Sequence, residues 1–187
     1  MCMKLIARTM LNKRKQQPMS NKIDWSKVNH FTPKEFSEDP DKYANPNLIY
    51  TLNDFRKLVG KSAYPSPVSG ALARIETGSK TSQHYVNLKE NKLSNAVDVF
   101  FEGNPSYVFF RALYSKLWNG IGLYLDTKYN NEEWPMFHFD LRDFNAKGMV
   151  TIWVRKNHEY FYPQTMKNGE LFLLSCLNEL SEFNLRK

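Results

Sequence analysis

Cysteine is scarce, since the 187-residue chain contains only Cys2 and Cys176. Two cysteines at this separation make neither a cysteine zinc cluster nor a disulfide framework, and they fit a reducing compartment. The chain also lacks any apolar run near the roughly 20 residues that a membrane helix needs. Its early apolar run, residues 5–7, is too short for a signal peptide. We therefore expect no membrane span, no export signal and synthesis in the cytoplasm.

Acidic residues are outnumbered: 26 Lys and Arg face 19 Asp and Glu, which gives a net charge of +7 and a pI of about 9.3. Such a balance favours polyanions, whether nucleic acid, anionic lipid or an acidic bacterial wall. No helix-turn-helix, zinc-finger or RNA-recognition motif is visible, so no nucleic-acid partner is expected. A solvated basic surface explains the charge equally well.

The domain division follows from composition. Residues 1–27 are basic, rich in Gln and Asn and weakly periodic, which predicts an N-terminal tail. Residues 28–187 form the predicted folded domain, and packing is expected to begin at Trp25 or Val28. Hydrophobic residues make up 42% of the chain and aromatic residues 14%, so a packed core is expected.

Caps and periodicity predict the secondary structure. Leu171, Leu174 and Leu177 are spaced to form the packing face of a C-terminal helix. Helices are predicted to begin at Thr32, to run from Thr51 to Gly60, to begin at Asn104, and to cover residues 170–180. Strands are predicted at residues 96–100, 121–125, 136–141 and 149–154. Strands mixed with segregated helices indicate an α+β domain, with a mainly antiparallel sheet and flanking helices.

Three polar residues in apolar surroundings form a candidate metal site. Side chains alternate along a strand, so Asp98 can share a sheet face with His138 of another strand. A carboxylate between apolar neighbours is costly unless something pairs it. His84 would approach from the preceding loop. Two imidazoles and one carboxylate are a common catalytic zinc set that leaves a fourth position for water. Taken singly, each residue also has a structural interpretation, as a core histidine bonded to backbone or an aspartate capping a turn.

The order of these residues resembles the zinc peptidases that include D-alanyl-D-alanine carboxypeptidases, phage L-alanoyl-D-glutamate endolysins and vancomycin-resistance dipeptidases, with the hedgehog signalling domain as a relative. Residues 82–84 match the family's Ser-x-His, and residues 96–98 match its Ala-x-Asp. The strand 120–124, followed by His138, matches the second motif, and Ser69-Gly70 matches an upstream strand. The resemblance covers about residues 31–142, and it implies a zinc site on one sheet face.

The sequence departs from that family in the spacing of two ligands. His84 and Asp98 lie fourteen residues apart, which is farther than is usual in the family, and Ser94 replaces a glycine. Residues 86–93 are interpreted as a polar loop inserted between the ligands. If this loop bulges outward the ligands can still meet, since added loop length costs little.

The resemblance also suggests the groups that act on substrate. Arg74 takes the role of binding a substrate carboxylate or stabilising an oxyanion. Pro135 stands where many members carry the acidic general base, so Glu132, or the adjacent Glu133, is the predicted base.

Four further residues are predicted to surround these groups. Asp140 is expected to orient a histidine ligand, and Ser82 to support the first motif. Trp134 and Tyr85 are expected to line the substrate cleft.

Three functions remain open. The first is a zinc metallopeptidase that cuts the peptidoglycan stem peptide at a D-Ala-D-Ala or Ala-Glu bond, as a phage or prophage hydrolase acting on the cell wall from the virion or at lysis. The second is a zinc-containing cell-wall-binding module without turnover. The third is a structural or nucleic-acid-associated protein that acts through its basic tail.

Overall fold

A computed structural model of the protein describes residues 22–143 and 148–183. Most of the predicted tail, residues 1–21, lies outside this part of the chain. Packing begins close to the predicted point: Ile23 is buried, and Trp25 packs against the core and donates from Nε1 to the Asp41 carboxylate at 3.0 Å. None of the described helices combines the length and the apolar character that crossing a bilayer requires.

The described residues form four helices and ten strands, with four single 3-10 turns between them. The helices are α1 (Pro40–Tyr43), α2 (Pro46–Val59), α3 (Pro105–Ser115) and α4 (Gly169–Phe183). The strands are β1 (Ala63–Pro65), β2 (Arg74–Ile75), β3 (Tyr85–Val86), β4 (Ala96–Phe101), β5 (Gly120–Tyr124), β6 (Lys128–Tyr129), β7 (Glu132–Glu133), β8 (Met136–Asp140), β9 (Thr151–Lys156) and β10 (Glu159–Phe161).

Six of these strands form one sheet in the order β1-β4-β8-β5-β9-β10. Neighbours in this sheet are antiparallel except β5 and β9, which run parallel, so the sheet is mixed. The strand pairs β2–β3 and β6–β7 stand apart as two small sheets. The predicted α+β class with flanking helices is confirmed.

One face of the large sheet carries the main hydrophobic core. Phe139 of β8 illustrates the packing, since its ring centroid lies 5.1 Å from that of Phe55 on α2 and 4.9 Å from that of Trp118. Helices α3 and α4 cover the same core through Phe109 and Leu177. Because this face is filled by apolar side chains and helices, polar groups that alternate with them along the strands lie on the opposite face.

Helix α2 begins earlier than the sequence analysis predicts. Asn45 is its N-cap, with a side chain that accepts from the N–H of Asn47 at 3.0 Å, and Pro46 occupies the first turn. Thr51 lies inside the helix, so the prediction of a cap there is wrong. An Asn-Pro pair fits a helix start as well as a turn, because proline lacks the N–H that a first turn leaves unpaired. The predicted end is confirmed, since Gly60 ends the helix in a left-handed conformation.

Two other predicted helix features need correction. The segment that begins at Thr32 forms only a 3-10 turn, Pro33–Glu35. In α4, Leu177 is buried as predicted, but Leu171 and Leu174 are 66% and 52% exposed. The buried hydrophobic side chains described on this helix are Cys176, Leu177 and Leu180, a spacing that also suits a helix face. Leucine spacing alone does not show which stripe of an apolar helix meets the core.

Candidate metal centre

The polar face of the sheet brings the candidate ligands together. Asp98 pairs with His138, His138 pairs with Gly122, and Gly122 pairs with Trp153. Directly paired residues share a face, so these four residues form one row across β4, β8, β5 and β9, which we call the ligand row. The β2–β3 pair brings His84 onto this row from outside the large sheet.

The three predicted ligands meet. Nε2 of His84 lies 3.0 Å from Nδ1 of His138, and Oδ1 of Asp98 lies 2.9 Å from Nδ1 of His138 and 3.4 Å from Nε2 of His84. All three residues are buried, with exposed fractions of 2–6%. Among the described residues, they are the group of three or more His, Cys, Asp and Glu side chains whose ligand atoms converge closely enough for a metal ion.

Hydrogen bonds at the far side of each imidazole favour metal binding. Nδ1 of His84 faces the Leu72 carbonyl at 3.4 Å, and Nε2 of His138 faces a carboxylate oxygen of Asp140 at 3.0 Å. Each of these nitrogens has an acceptor opposite it, so in a neutral ring it carries the proton. The two inward nitrogens then present lone pairs to each other and to Asp98, and a cation between them satisfies all three.

The distances also fit a tetrahedral ion. Zinc with bonds of about 2.0–2.1 Å separates neighbouring ligand atoms by about 3.3 Å. The observed separations of 2.9, 3.0 and 3.4 Å surround that value. Three protein ligands leave one position of a tetrahedron open, as in catalytic rather than structural zinc sites. The residues present therefore fit a metal ion with one open coordination position.

Asp140 orients His138, as the sequence analysis predicts. Its carboxylate accepts from Nε2 of His138 at 3.0 Å and from Nε of Arg142 at 2.8 and 2.9 Å. The Arg142 guanidinium in turn lies 4.9 Å from the ring centroid of Trp153. Gly120 leaves the room for this carboxylate, because a Cβ there would lie 2.3 Å from Oδ1 of Asp140. Gly122 likewise leaves room for the side chain of Trp153. The two glycines of the matched strand therefore accommodate the side chains that position His138.

Burial and the neighbouring charged groups shift the pKa values of Asp98, Asp140 and His138 in opposite directions. Burial raises the pKa of Asp98, but His84 and His138 outweigh it and hold that pKa far below its usual range. Burial also raises the pKa of Asp140, and His138 and Arg142 lower it to about 2. Against the effect of burial, hydrogen bonds to Asp140 and Asp98 raise the pKa of His138 to about 9. Without a cation, His138 is therefore an imidazolium at neutral pH.

This proton gives a pH-dependent stability with a defined sign. In the metal-free protein the His138 pKa is about 9, against about 6.5 when unfolded, so its contribution of about 3 kcal/mol is complete below pH 6.5 and is lost as the pH rises through 9. A bound cation needs the neutral imidazole, so its stabilisation grows as the pH rises. The unfolding temperature with zinc, minus that with chelator, should widen between pH 6 and pH 9. A constant difference would contradict the proton displacement.

Glu38 organises the loop that supports His84. Its carboxylate accepts from the backbone N–H groups of Gly70, Leu72 and Ala73 at 2.6, 3.1 and 3.0 Å. The Leu72 carbonyl, fixed in this way, faces His84 Nδ1. Nothing in the local sequence around residue 38 signals this role, because the bonds connect segments more than thirty residues apart.

The inserted loop bulges outward at residues 88–92, but Val86, the first residue of the predicted insertion 86–93, is buried in β3. Asn87 and Lys92 exchange two backbone hydrogen bonds of 2.9 Å, which close a loop at its base. Residues 88–92 are exposed, whereas Val86 and Ser94 on either side of the loop are buried. The long spacing between His84 and Asp98 is thus absorbed without separating them.

A cavity of about 320 Å³ opens beside the ligand row. Its floor is the neighbouring row of the same sheet face, Phe100, Met136, Tyr124 and Arg155, which we call the cleft row. Asp98 lines the cavity, whereas His84 and His138 are not among its lining residues. The remaining lining residues are Ser66, Val68, Ser69, Gly70, Ala71, Arg74, Thr127, Lys128 and Tyr160. A substrate in this cavity would therefore contact the ligand row at Asp98.

Of the residues predicted to act on substrate, Arg74 lines the cavity and the two glutamates lie outside its lining. Arg74 lines the cavity, and its side chain passes 3.2 Å from where a Cβ on Gly70 would lie. Glu132 and Glu133 are exposed on β7 and are not among the lining residues. However, Glu133 pairs with Lys128, which does line the cavity, so β7 runs along its rim. The assignment of the base stays a prediction.

The predicted surrounding residues lie close to the ligands or the rim. Ser82 Oγ accepts from the backbone N–H of His84 at 3.3 Å, which supports the turn before that ligand. Tyr85 is buried, and Trp134 donates from Nε1 to the Phe101 carbonyl at 3.0 Å. Neither aromatic residue is among those that line the cavity.

Sequence reasoning missed four residues of the site. Tyr124 and Arg155 belong to the cleft row, and Arg142 and Trp153 form the support of Asp140. Alternation along β5 and β9 could have placed Tyr124 and Arg155 on the polar face, because each lies two residues after a member of the ligand row. Arg142 follows the end of β8, where alternation no longer applies.

Comparisons with protein-family models, with curated proteins and with solved structures gave no match for this chain. The likeness to zinc peptidases therefore depends on the motif residues alone. The structure itself establishes a buried His84, Asp98 and His138 group that can hold a metal ion.

Proposed function

We propose that the protein is a zinc-dependent peptidase that hydrolyses peptide bonds in the peptidoglycan stem peptide. The observation that carries this proposal is the convergence of three ligand atoms, 2.9–3.4 Å apart, at a group of which one residue, Asp98, lines an open cavity. A buried structural site would need no cavity and would have four protein ligands. The net charge of +7 further suits an acidic wall polymer.

Each group of the cleft has a role in this reaction. When bound, zinc would polarise the scissile carbonyl and lower the pKa of a water molecule towards about 7. Arg74 would bind a substrate carboxylate or the developing oxyanion, because it lines the cavity and its backbone N–H donates to the His84 carbonyl. Glu132 or Glu133, on the rim, would take the proton from water and pass it to the leaving amine.

The test is mass spectrometry of purified peptidoglycan after digestion with zinc present, because new termini identify the broken bond. We expect new peptide termini with the native chain and none after His84→Ala. His30→Ala is the matched control, since His30 lies outside both the ligand group and the cavity lining. No new termini from the zinc-loaded native protein would overturn the proposal.

One observation favours a second candidate, a zinc-containing wall-binding module without turnover. Pro135 occupies the position where the family often has its acidic base, and Glu132 and Glu133 lie outside the cavity lining. This candidate predicts one zinc per chain and co-sedimentation with cell wall, but no released peptide. Elemental analysis and the digestion above separate the two candidates.

A further inference from the structure

The cleft row ends in an arginine that the proposed chemistry does not use. Arg155 pairs with Tyr124 in the sheet and with Tyr160 of β10, and all three residues line the cavity. The guanidinium lies 4.6 Å from the centroid of the Tyr124 ring. Its side chain is 22% exposed, so it is accessible from the cavity and still held by its surroundings.

Arg155 is preorganised by one carboxylate. Its Nε donates to Oδ1 of Asp126 at 2.8 Å, and Oδ2 of Asp126 accepts from the backbone N–H of His158 at 2.5 Å. This arrangement fixes the plane of the guanidinium between Asp126 and Tyr124. A planar arginine fixed in this way loses little freedom when it binds a carboxylate with its terminal N–H groups.

The charges that line the cavity favour an anion. Its lining includes the cations Arg74, Lys128 and Arg155 but a single carboxylate, Asp98. Asp98 turns to the two histidines, and a bound divalent ion would add further positive charge. Asp126 offsets only part of this excess, since it pairs with Arg155 alone among the three cations.

We propose that Arg155 determines specificity by binding a carboxylate of the peptide, so that the cleft selects acidic peptides over their amidated forms. This inference rests on the proposed peptidase function. Arg74 and Arg155 reach the cavity from different elements, β2 and β9. We assign to Arg155 a carboxylate separate from the group bound by Arg74. It belongs either to an acidic side chain or to the C-terminus.

The experiment uses four synthetic stem pentapeptides, L-Ala-γ-D-Glu-L-Lys-D-Ala-D-Ala, with the Glu carboxylate and the C-terminal carboxylate each free or amidated. With the native zinc protein, amidation at one of the two positions should lower kcat/KM by about 10–100-fold, the effect of one charged hydrogen bond. The position that matters identifies the carboxylate. Arg155→Gln combined with Asp126→Asn should bring this ratio close to one, mainly through KM.

The double variant removes both charges of the pair, so that no carboxylate is left without its partner. Lys27→Gln combined with Asp24→Asn is the matched control, because it removes an exposed ion pair outside the cavity lining, and it should keep the native ratio. A native protein that cleaves all four peptides equally, or a double variant at Arg155 and Asp126 that keeps the native ratio, would overturn the inference.

A direct binding measurement separates this inference from the proposed function. If no peptide is cleaved, calorimetric titration of the same four peptides into the zinc protein should still show tighter binding of one carboxylate form. The double variant at Arg155 and Asp126 should lose that difference. Equal affinity for all four peptides would overturn the assignment of Arg155, whereas a carboxylate preference without cleavage would overturn only the peptidase.

Discussion

Replacing Asp98 with Asn is expected to lower zinc affinity by at least about 100-fold and to abolish peptide hydrolysis. Loss of a group that only orients a ligand costs about 10–100-fold in metal affinity, so loss of a ligand charge should cost more. Asn has nearly the same volume, and Asp98 is buried between two histidines, so the change is chiefly one of charge. Calorimetry with zinc and the digestion of peptidoglycan measure the two effects.

The control for this substitution is Asp54→Asn, an exposed carboxylate on α2. It should bind zinc and release peptides as the native chain does. If Asp98→Asn binds zinc as tightly as Asp54→Asn, the metal centre is assigned wrongly. If it binds zinc weakly but still hydrolyses peptide at the native rate, the metal is unrelated to the activity.

Replacing Gly120 with Ala is expected to destabilise the protein by about 3–5 kcal/mol, the cost of breaking a buried ion pair. The new Cβ would lie 2.3 and 2.4 Å from the two carboxylate oxygens of Asp140. That carboxylate is fully buried and bonded to His138 and Arg142, so it cannot move without losing one of them. Zinc affinity should fall as well, because His138 loses its orientation. Urea unfolding and zinc calorimetry measure the two effects.

Gly60→Ala is the matched glycine control. Its Cβ would have no neighbour within 4 Å, but Gly60 has a φ of 68°, which disfavours a side chain. Its expected cost is therefore about 1 kcal/mol, without a change in zinc affinity. A Gly120→Ala protein with the stability of Gly60→Ala would show that the sheet relaxes around the new methyl group.

Part of the ligand group was predictable from local signals, and the resemblance to the zinc peptidases placed His84 with it. Asp98 and His138 each occur in a short apolar strand, where alternation determines the face and where an uncompensated polar side chain is costly. The inserted loop between His84 and Asp98 was predictable for a similar reason, since its polar residues have no partner in a core. These inferences needed no knowledge of how the helices pack.

Features that depend on distant segments could not be predicted in this way. Leu171 and Leu174 have the spacing of a packing face, but the position of α4 against the sheet leaves them exposed. Glu38 binds backbone groups that come much later in the chain. Arg155 reads as an ordinary surface cation until its strand is placed beside β5. Each of these roles is set by which elements become neighbours.

The fold holds the three ligands in place to different degrees. Asp98 and His138 belong to central strands whose other face is the main core, so displacing either one requires disruption of that core. His84 comes from a separate two-stranded pair, supported by the loop that Glu38 holds. An ion would therefore enter and leave by movement of the His84 arm. The rate of metal exchange should therefore equal the rate at which that arm opens locally, which is faster than the rate at which the whole domain unfolds.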